Sequence, residues 1–456
     1  MTWLKDKSRE FDHHARMWPY HPDLLRRPVP RYTSYPTAAE FRAVKEEHAL
    51  EKAISAIPDG SNISLYLHIP YCNEICHYCA CNTGRANRQK RLRAYIDALV
   101  DEIRIMGALL TDRHVVKRIA FGGGSPNAIA PEEFAHLIAA LQAGFHIGQS
   151  EISIELDPRD FDADWAAMLG QSGVTHASMG VQTFSAEVQR VIGRVQPYET
   201  IAAAMSQLRA SGVRSINFDM MYGLPGQTGQ DLSDSLDKTI TLRPERIALF
   251  GYAHLPQRIA RQRRMDTSIM ANQLQRFAMS ERGYRTLVDA GYEAIGFDHF
   301  ALPDDPMAIA ARAGNVSRNF QGYTDDPSAY LLGMGATAIS LFPDQILQND
   351  KNIGAWRQAV SEGRLTAKLG VERTEKDMRH GKVIEDILCR GEADISALEQ
   401  NDTNAHRLAS FEKRGLIERD RGHLTCKDSA TPYLRSIAAV FDPYRQANKG
   451  GFSSAI

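Results

Sequence analysis

The sequence predicts an α/β fold: a partial or full parallel (β/α) barrel, preceded by an irregular N-terminal segment and followed by a small α-rich C-terminal domain. Three observations lead there. Six apolar, β-branched runs alternate with helix-like stretches between residues 62 and 254, a pattern that demands right-handed parallel connections. A doubly wound sheet would satisfy the same alternation. However, polar or glycine residues punctuate strand after strand near its C-terminal end, and a parallel barrel brings those ends to one mouth. At 456 residues the chain also exceeds one ordinary domain.

Residues 1–60 carry Pro19, Pro22, Pro28, Pro30 and Pro36, which break any long helix; this segment is expected to cover the barrel mouth. The barrel with its extension is expected over 61–365. NISLYLHIP (62–70) reads as a buried strand. After a cysteine-rich loop, residues 91–110 place Leu92, Tyr95, Ile96, Leu99, Ile103, Met106 and Leu110 on one helical stripe. VVKRIAF (115–121) is a strand, and PEEFAHLIAAL a helix with proline at its start. EISIEL (151–156) is a strand, and ADWAAMLGQSG a helix ending at glycine. HASMGVQ, SINFDMMYG and RIALFGYAH continue the series, and YEAIGFDHFA (292–301) reads as a further strand extending the sheet. The punctuation consists of GGGSP (122–126), Glu155, Gln182 and Asp219. From 366 to 456 amphipathic helices and a short hairpin form the expected C-terminal domain, similar to a winged helix.

The 54 basic and 55 acidic residues give a formal charge of −1, so there is no electrostatic case for a nucleic-acid partner. No apolar run reaches the roughly 18–20 residues of a membrane span. MTWLKDKSREFDHHARMW lacks the apolar core of a signal peptide. A cytoplasmic protein is expected, with reduced thiols.

YCNEICHYCACNTG (71–84) holds Cys72, Cys76, Cys79 and Cys81, four of the chain's 6 cysteines. The reducing compartment argues against disulfides. Structural zinc takes four ligands, commonly in two separated pairs. Cys76-x-x-Cys79 has no second pair, although His68 and His77 are available. A thioredoxin-like redox pair of Cys76 and Cys79 leaves the other two thiols idle. Iron–sulfur ligation fits better, because thiolates closely spaced on one loop reach different corners of a cuboidal cluster. C-x3-C-x2-C supplies three irons and leaves one open, as catalytic sites require. Cys81 as a fourth ligand would close the site, so it is read as a non-ligand.

C-x3-C-x2-C just after the first strand of a βα series resembles the signature of the radical S-adenosylmethionine (SAM) enzymes, and the barrel is expected to be of the radical SAM type. Tyr78 before the last ligand matches too. So does GGGSP, where glycine lets backbone approach the cofactor's amino group. A longer set of motifs, in order from about residue 30 to the C-terminus, resembles the oxygen-independent coproporphyrinogen III oxidase family: PRYTSYPTA (30–38), YLHIPYC, CACN, EISIELDPR (151–159), SMGVQTF, YGLP, YAHLP, DHFALPDD and RNFQGYT (318–324). GGGSPN stands where the family has GGGTPT, a change that keeps a hydroxyl at Ser125. The ending FSSAI also departs from the family's tail.

The resemblance implies a [4Fe-4S] cluster on Cys72, Cys76 and Cys79, with SAM chelating the remaining iron and a second SAM beside the first. It implies oxidative decarboxylation of the ring A and B propionates of coproporphyrinogen III to vinyl groups, giving protoporphyrinogen IX in haem biosynthesis. A 5′-deoxyadenosyl radical abstracts the propionate β-hydrogen, and a low-potential donor such as flavodoxin or ferredoxin supplies the electron. A monomer is expected.

By the same resemblance Tyr66, Tyr78, Gly123, Gly124, Ser125, Glu155, Gln182 and Arg194 line the first cofactor site. Asp219 is shared with the second, where Ala253 and Ile339 join it and Phe320 and Gln321 are neighbours. Plainer readings stand beside these. Glu155 and Asp219 suit structural salt bridges, since buried carboxylates need partners. Ser125 suits a helix cap, Gln182 a backbone contact, Arg194 a surface charge, and Ala253 and Ile339 the core. Substrate carboxylates call for basic residues, and Arg31 and Arg318 are candidates. His254 and His299 are read as either core or site residues, and Cys389 and Cys426 as buried apolar residues.

The alternative function is a haem-binding chaperone that resembles this family and lacks the decarboxylase activity. Those relatives generally lack the cysteine at the position of Cys81, carry an H-N-x-x-Y-W type motif in place of RNFQGYT, and lack the PRYTSYPTA segment. All three features favour the oxidase.

Overall fold

A computed structural model describes residues 17–86, 89–110, 114–398 and 402–447. The readings of the first 16 residues and of the FSSAI tail lie outside the described residues. Six strands, β1 (Asn62–Ile69), β2 (Val115–Gly123), β3 (Glu151–Leu156), β4 (His176–Gln182), β5 (Ser215–Tyr222) and β6 (Arg246–Gly251), pair in sequence order, all parallel. The helices Gln89–Ala108, Pro131–Gly144, Ala163–Gln171, Tyr198–Ala210, Gly229–Leu242 and Gln273–Asp289 follow them in turn. Local chemistry agrees with the breaks. Thr228 and Asp231 form a reciprocal capping box at the start of the fifth of these helices, and Asp162 caps the third through the Trp165 N–H.

The barrel is partial, because its edges run on into one 13-stranded sheet instead of closing. Tyr330–Met334 adds a seventh parallel strand against β1. Ile339–Leu341, Gln345–Gln348, Leu369–Glu372 and Arg42–Ala43 continue that edge antiparallel. At the other edge YEAIGFDHFA is not one strand. Glu293–Ile295 and His299–Ala301 form a hairpin whose second arm lies antiparallel to β6. Gly296, at φ +60°, turns the run back on itself, and a Cβ there would sit 1.8 Å from the Tyr323 hydroxyl.

Within the barrel three neighbouring strands, β3, β4 and β5, alternate in burial. In β3 Ile152, Ile154 and Leu156 are buried in the main core, while Glu151, Ser153 and Glu155 line the interior. β4 repeats the pattern with His176 and Ser178 inward, and β5 with Asn217 and Asp219 inward. The interior is therefore hollow, lined by polar side chains from these three strands together with apolar ones such as Leu65, Phe121, Phe250 and Phe300.

A second core joins the start of the described chain to its C-terminal part. Trp18, Leu25, Val29, Tyr32 and Tyr35 pack with Val383, Ile387, Phe411, Leu416, Leu424 and Phe441. Beyond residue 373 come helix Glu375–Arg390, strand Glu392–Asp394, helix Asp402–Lys413 and the hairpin Ile417–Asp420/His423–Cys426, whose second arm pairs with Glu392–Asp394 to complete a three-stranded sheet, before the short helices Leu434–Ala438 and Pro443–Ala447. Cys389 and Cys426 are half-buried, and burial pushes both thiols up to about 12. Among the described residues no helix is long and apolar enough to cross a membrane.

Candidate active site

The C-terminal ends of β2 to β6, with the loop that follows β1, surround a cavity of about 510 Å³. Its rim is the cysteine loop. Tyr71–Cys72 pairs in parallel with Gly84–Arg85, which pins both ends of the loop. The His77 N–H donates to the Ile192 carbonyl at 2.9 Å. On the opposite side Gln262, 1% exposed, donates to the carbonyls of Tyr78 (2.9 Å) and Ala253 (3.1 Å) and accepts from the Leu255 N–H. Arg261 donates to the Thr83 hydroxyl and the Cys81 carbonyl. Most of this loop has no regular structure, and these clamps set its shape.

Cys72, Cys76, Cys79 and Cys81 all line the cavity together with Tyr78. Cys76 is buried, Cys72 and Cys79 are half-buried, and Cys81 is exposed to the mouth. The Cys81 N–H points at the Cys79 sulfur, 3.3 Å away. Gly123, Gly124 and Ser125 form the facing edge. The Ser125 hydroxyl does not cap a helix; it donates to Asn127 Oδ1 at 2.9 Å.

The carboxylates lie on the same wall. Glu155 accepts from the Gly123 N–H at 3.1 Å, and burial raises its carboxyl to about 7. Burial also raises Asp219, although Asn217 (2.9 Å) and Ser178 (3.2 Å) donate to it. Arg194 is buried, not a surface charge: its guanidinium donates to Asp157 at 3.0 Å, to the Gly180 carbonyl and to the Cys76 sulfur at 3.5 Å. Burial works to raise Asp157, but Arg194 and Arg159 outweigh it and hold the carboxyl below its usual range. Gln182 has a left-handed backbone at φ +60° beside an irregularity in the β4–β5 register. Ala253 and Arg31 complete the wall, and Arg31 also reaches Asp298 (3.3 Å) and the Gly251 carbonyl (3.1 Å).

Seven candidates are not on this wall. Tyr66 projects from β1 and meets His68 Nδ1 at 3.0 Å. Ile339 lies on the antiparallel edge beside Gly333. Phe320 and Gln321 form the turn between Ser317–Asn319 and Gly322–Thr324, and Gln321 borders a deeper cavity of about 300 Å³ that shares Glu155, Ser178, Asp219 and Phe250 with the first. Arg318 stacks on Tyr323 (4.1 Å) and donates to the carbonyls of Arg31 and Tyr32, tying down the N-terminal segment. His299 borders the deeper cavity with its Nδ1 2.7 Å from Asp298, and His254 meets the Tyr252 hydroxyl at 2.9 Å. Sequence reasoning missed Asp157 and Gln262. Asp157 stands in EISIELDPR one alternation step beyond Glu155, which was a usable signal; nothing local marks Gln262.

Three features fit an iron–sulfur cluster with a chelating amino-acid cofactor. The thiols are a soft donor set gathered on one loop, although among the described residues no three such side chains already close on a common point. The glycine edge brings bare backbone to the cavity, and close packing demands glycine there, since a Cβ on Gly124 would lie 2.4 Å from the Tyr71 carbonyl oxygen and one on Gly123 2.5 Å from the His68 ring. The buried Oε1 of Gln182 has no partner among the described residues.

Barrel, thiol loop and glycine cradle together define a radical SAM enzyme, and the profile of the Radical SAM superfamily matches residues 66–239. The relatives are narrower. The oxygen-independent coproporphyrinogen III oxidase of Bradyrhizobium diazoefficiens is 39% identical over 437 residues, covering 94% of this chain and 97% of its own. That of Salmonella typhimurium is 36% identical over 439 residues, covering 94% and 96%. The coproporphyrinogen III oxidase (HemN) from Escherichia coli, described as a radical SAM enzyme, superposes with a TM-score of 0.87 at 34% identity, covering 94% of this chain and 99% of that one. The chain belongs to the oxygen-independent coproporphyrinogen III oxidase family. These relatives lend no support to the chaperone alternative.

Proposed function

We propose that the protein carries out the oxygen-independent oxidative decarboxylation of coproporphyrinogen III, converting the ring A and B propionates to vinyl groups and giving protoporphyrinogen IX. One observation carries the reading. Four thiols, an edge of glycines and the carboxylates of Glu155, Asp157 and Asp219 share one cavity of about 510 Å³, in a chain that matches oxidases of this name almost end to end.

Cys72, Cys76 and Cys79 hold the [4Fe-4S] cluster, and Cys81 is left free. When bound, the cluster and SAM supply a one-electron cleavage that yields the hydrogen-abstracting radical. This chain's residues bind, orient and shield. Gly123 and Gly124 let backbone come close to the cofactor's amino group, and Glu155 and Asp219 accept from ammonium or hydroxyl donors. Arg194, fixed by Asp157, faces carboxylate, and Gln182 offers its unpaired oxygen. Tyr66 and Tyr78 pack beside the first cofactor. Ala253 and Ile339, with Asp219, hold a second, near the Phe320–Gln321 turn. Within the N-terminal segment, residues 17–60, anchored at Arg31, exclude water from the mouth of the 61–365 barrel, and the described part of the C-terminal domain packs against them. A monomer working in the cytoplasm is part of the reading, with a flavodoxin or ferredoxin as donor.

The test is anaerobic reconstitution with SAM, a reductant and coproporphyrinogen III, followed by chromatography for the divinyl product. Cofactor cleavage without protoporphyrinogen refutes the substrate. Stable haem binding with no carbon dioxide released refutes the enzyme.

A further inference from the structure

The cysteine loop is flanked by two basic arms. From Ile75 to Ile96 the chain has no acidic residue and carries Arg85, Arg88, Lys90, Arg91 and Arg93. From Arg246 to Met265 it again has none, and carries Arg258, Arg261, Arg263 and Arg264 in addition to Arg246, which borders the barrel interior. In a chain of formal charge −1 this is a strong local excess.

The fold brings both arms to the same edge. Cys72 is the register partner of Arg85, and the Ala86 N–H donates to the Cys72 carbonyl at 3.0 Å. The 3-10 turn Ala260–Arg264 reaches the loop through the Arg261 bonds to Thr83 and Cys81. Arg85, Lys90, Arg91, Arg93, Arg263 and Arg264 are exposed, and among the described residues none of them has a carboxylate partner. Glu74, the nearest acid in the loop, is paired with Arg159 at 2.6 Å.

We propose that this basic rim is the docking surface for a small acidic one-electron carrier protein of low potential, which delivers its electron at the cysteine loop. The proposal rests on the radical SAM reading above. One electron leaves the carrier and one arrives at the group held by the thiols; no bond forms or breaks and no proton moves. A nearly neutral chain exerts little long-range attraction on an acidic partner. A local patch of one sign supplies the steering and fixes the approach, with association raised about 10- to 1,000-fold at low salt. The patch lies where electron transfer over a short distance needs it. Arg261 borders the cavity itself, but the six exposed side chains do not, so they are not placed to grip a substrate inside.

The test is the variant K90E/R93E/R263E/R264E in the full, cluster-reconstituted chain, with reduced flavodoxin as the probe. Stopped-flow bleaching of the cluster is expected to slow at least about tenfold at low salt, with the parent's rate falling as salt rises and the variant's staying flat. Calorimetric affinity for flavodoxin falls in parallel. With dithionite instead, cluster reduction and the KM for coproporphyrinogen III are expected to match the parent. Parental rates from flavodoxin overturn the proposal. So does an increased KM under dithionite, which would assign the rim to substrate carboxylates, and so does an equal slowing with dithionite, which would make the rim structural. If the parent itself fails to cleave SAM under dithionite, the proposed function falls, and flavodoxin affinity still judges the surface by itself.

Discussion

Glu155 links the stability of the chain to the function of its site. Its ordinary value is 4.5, and in the folded protein burial raises it to about 7. Between those two pH values the folded chain keeps a proton that the unfolded chain has released. The unfolded state then binds fewer protons, so stability falls as pH rises from about 4.5 to about 7 and is level above that. At about 1.4 kcal/mol per pH unit the gap amounts to about 3 kcal/mol. Glu155→Gln removes the charge and keeps an oxygen to accept from the Gly123 N–H, now 3.1 Å away. The variant apoprotein is expected to be more stable than the parent by up to about 3 kcal/mol at pH 8.5, with the difference shrinking toward pH 5. Urea unfolding followed by fluorescence at pH 5.5, 7 and 8.5 measures this. SAM affinity should move the other way, by about 10- to 100-fold, because a charged acceptor contributes about 1.5–3 kcal/mol. A variant less stable at pH 8.5, or a difference independent of pH, would refute the reasoning and make Glu155 a structural partner.

Other residues give sharper yes-or-no outcomes. Cys81→Ser is expected to keep full iron and cluster absorbance on reconstitution, whereas Cys72→Ala, Cys76→Ala and Cys79→Ala each lose them; loss in Cys81→Ser would overturn the three-thiol assignment. Gln262→Ala leaves the buried carbonyls of Tyr78 and Ala253 without this donor. It should cost about 1–3 kcal/mol in urea unfolding and loosen cluster retention under chelator challenge. Asp157→Asn strips the counter-charge from buried Arg194, 7% exposed, and should cost about 3–5 kcal/mol; unchanged unfolding would mean the pair is solvated. Gly124→Ala drives a methyl toward the Tyr71 carbonyl oxygen, 2.4 Å from where the Cβ would sit. Backbone has nowhere to yield, so iron per chain after reconstitution should fall.

What could be read in the sequence follows from where each signal is written. The six strands were legible because each has its own apolar run, and the thiol loop because its spacing is local. The continuation through Tyr330–Met334 was not. LLGM is too short to stand out, and only its pairing with β1 makes it part of the sheet. YEAIGFDHFA misled for the opposite reason: its apolar content hides a turn at Gly296 that the Tyr323 hydroxyl fits against. The site divides in the same way. Glu155, Asp219 and the glycines sit at strand ends, where chain position alone predicts convergence. Gln262 is 184 residues from Tyr78, whose carbonyl it holds, and carries no pattern of its own. A sharper rule would have recovered more. In β3, β4 and β5 the inward residues Glu151, Ser153, Glu155, His176, Ser178, Asn217 and Asp219 are polar at every second position. In a parallel barrel such alternation marks an interior built around a ligand, because a filled interior would present apolar side chains to both faces. The chemistry of this enzyme was therefore written in the period of its strands as well as in its cysteines.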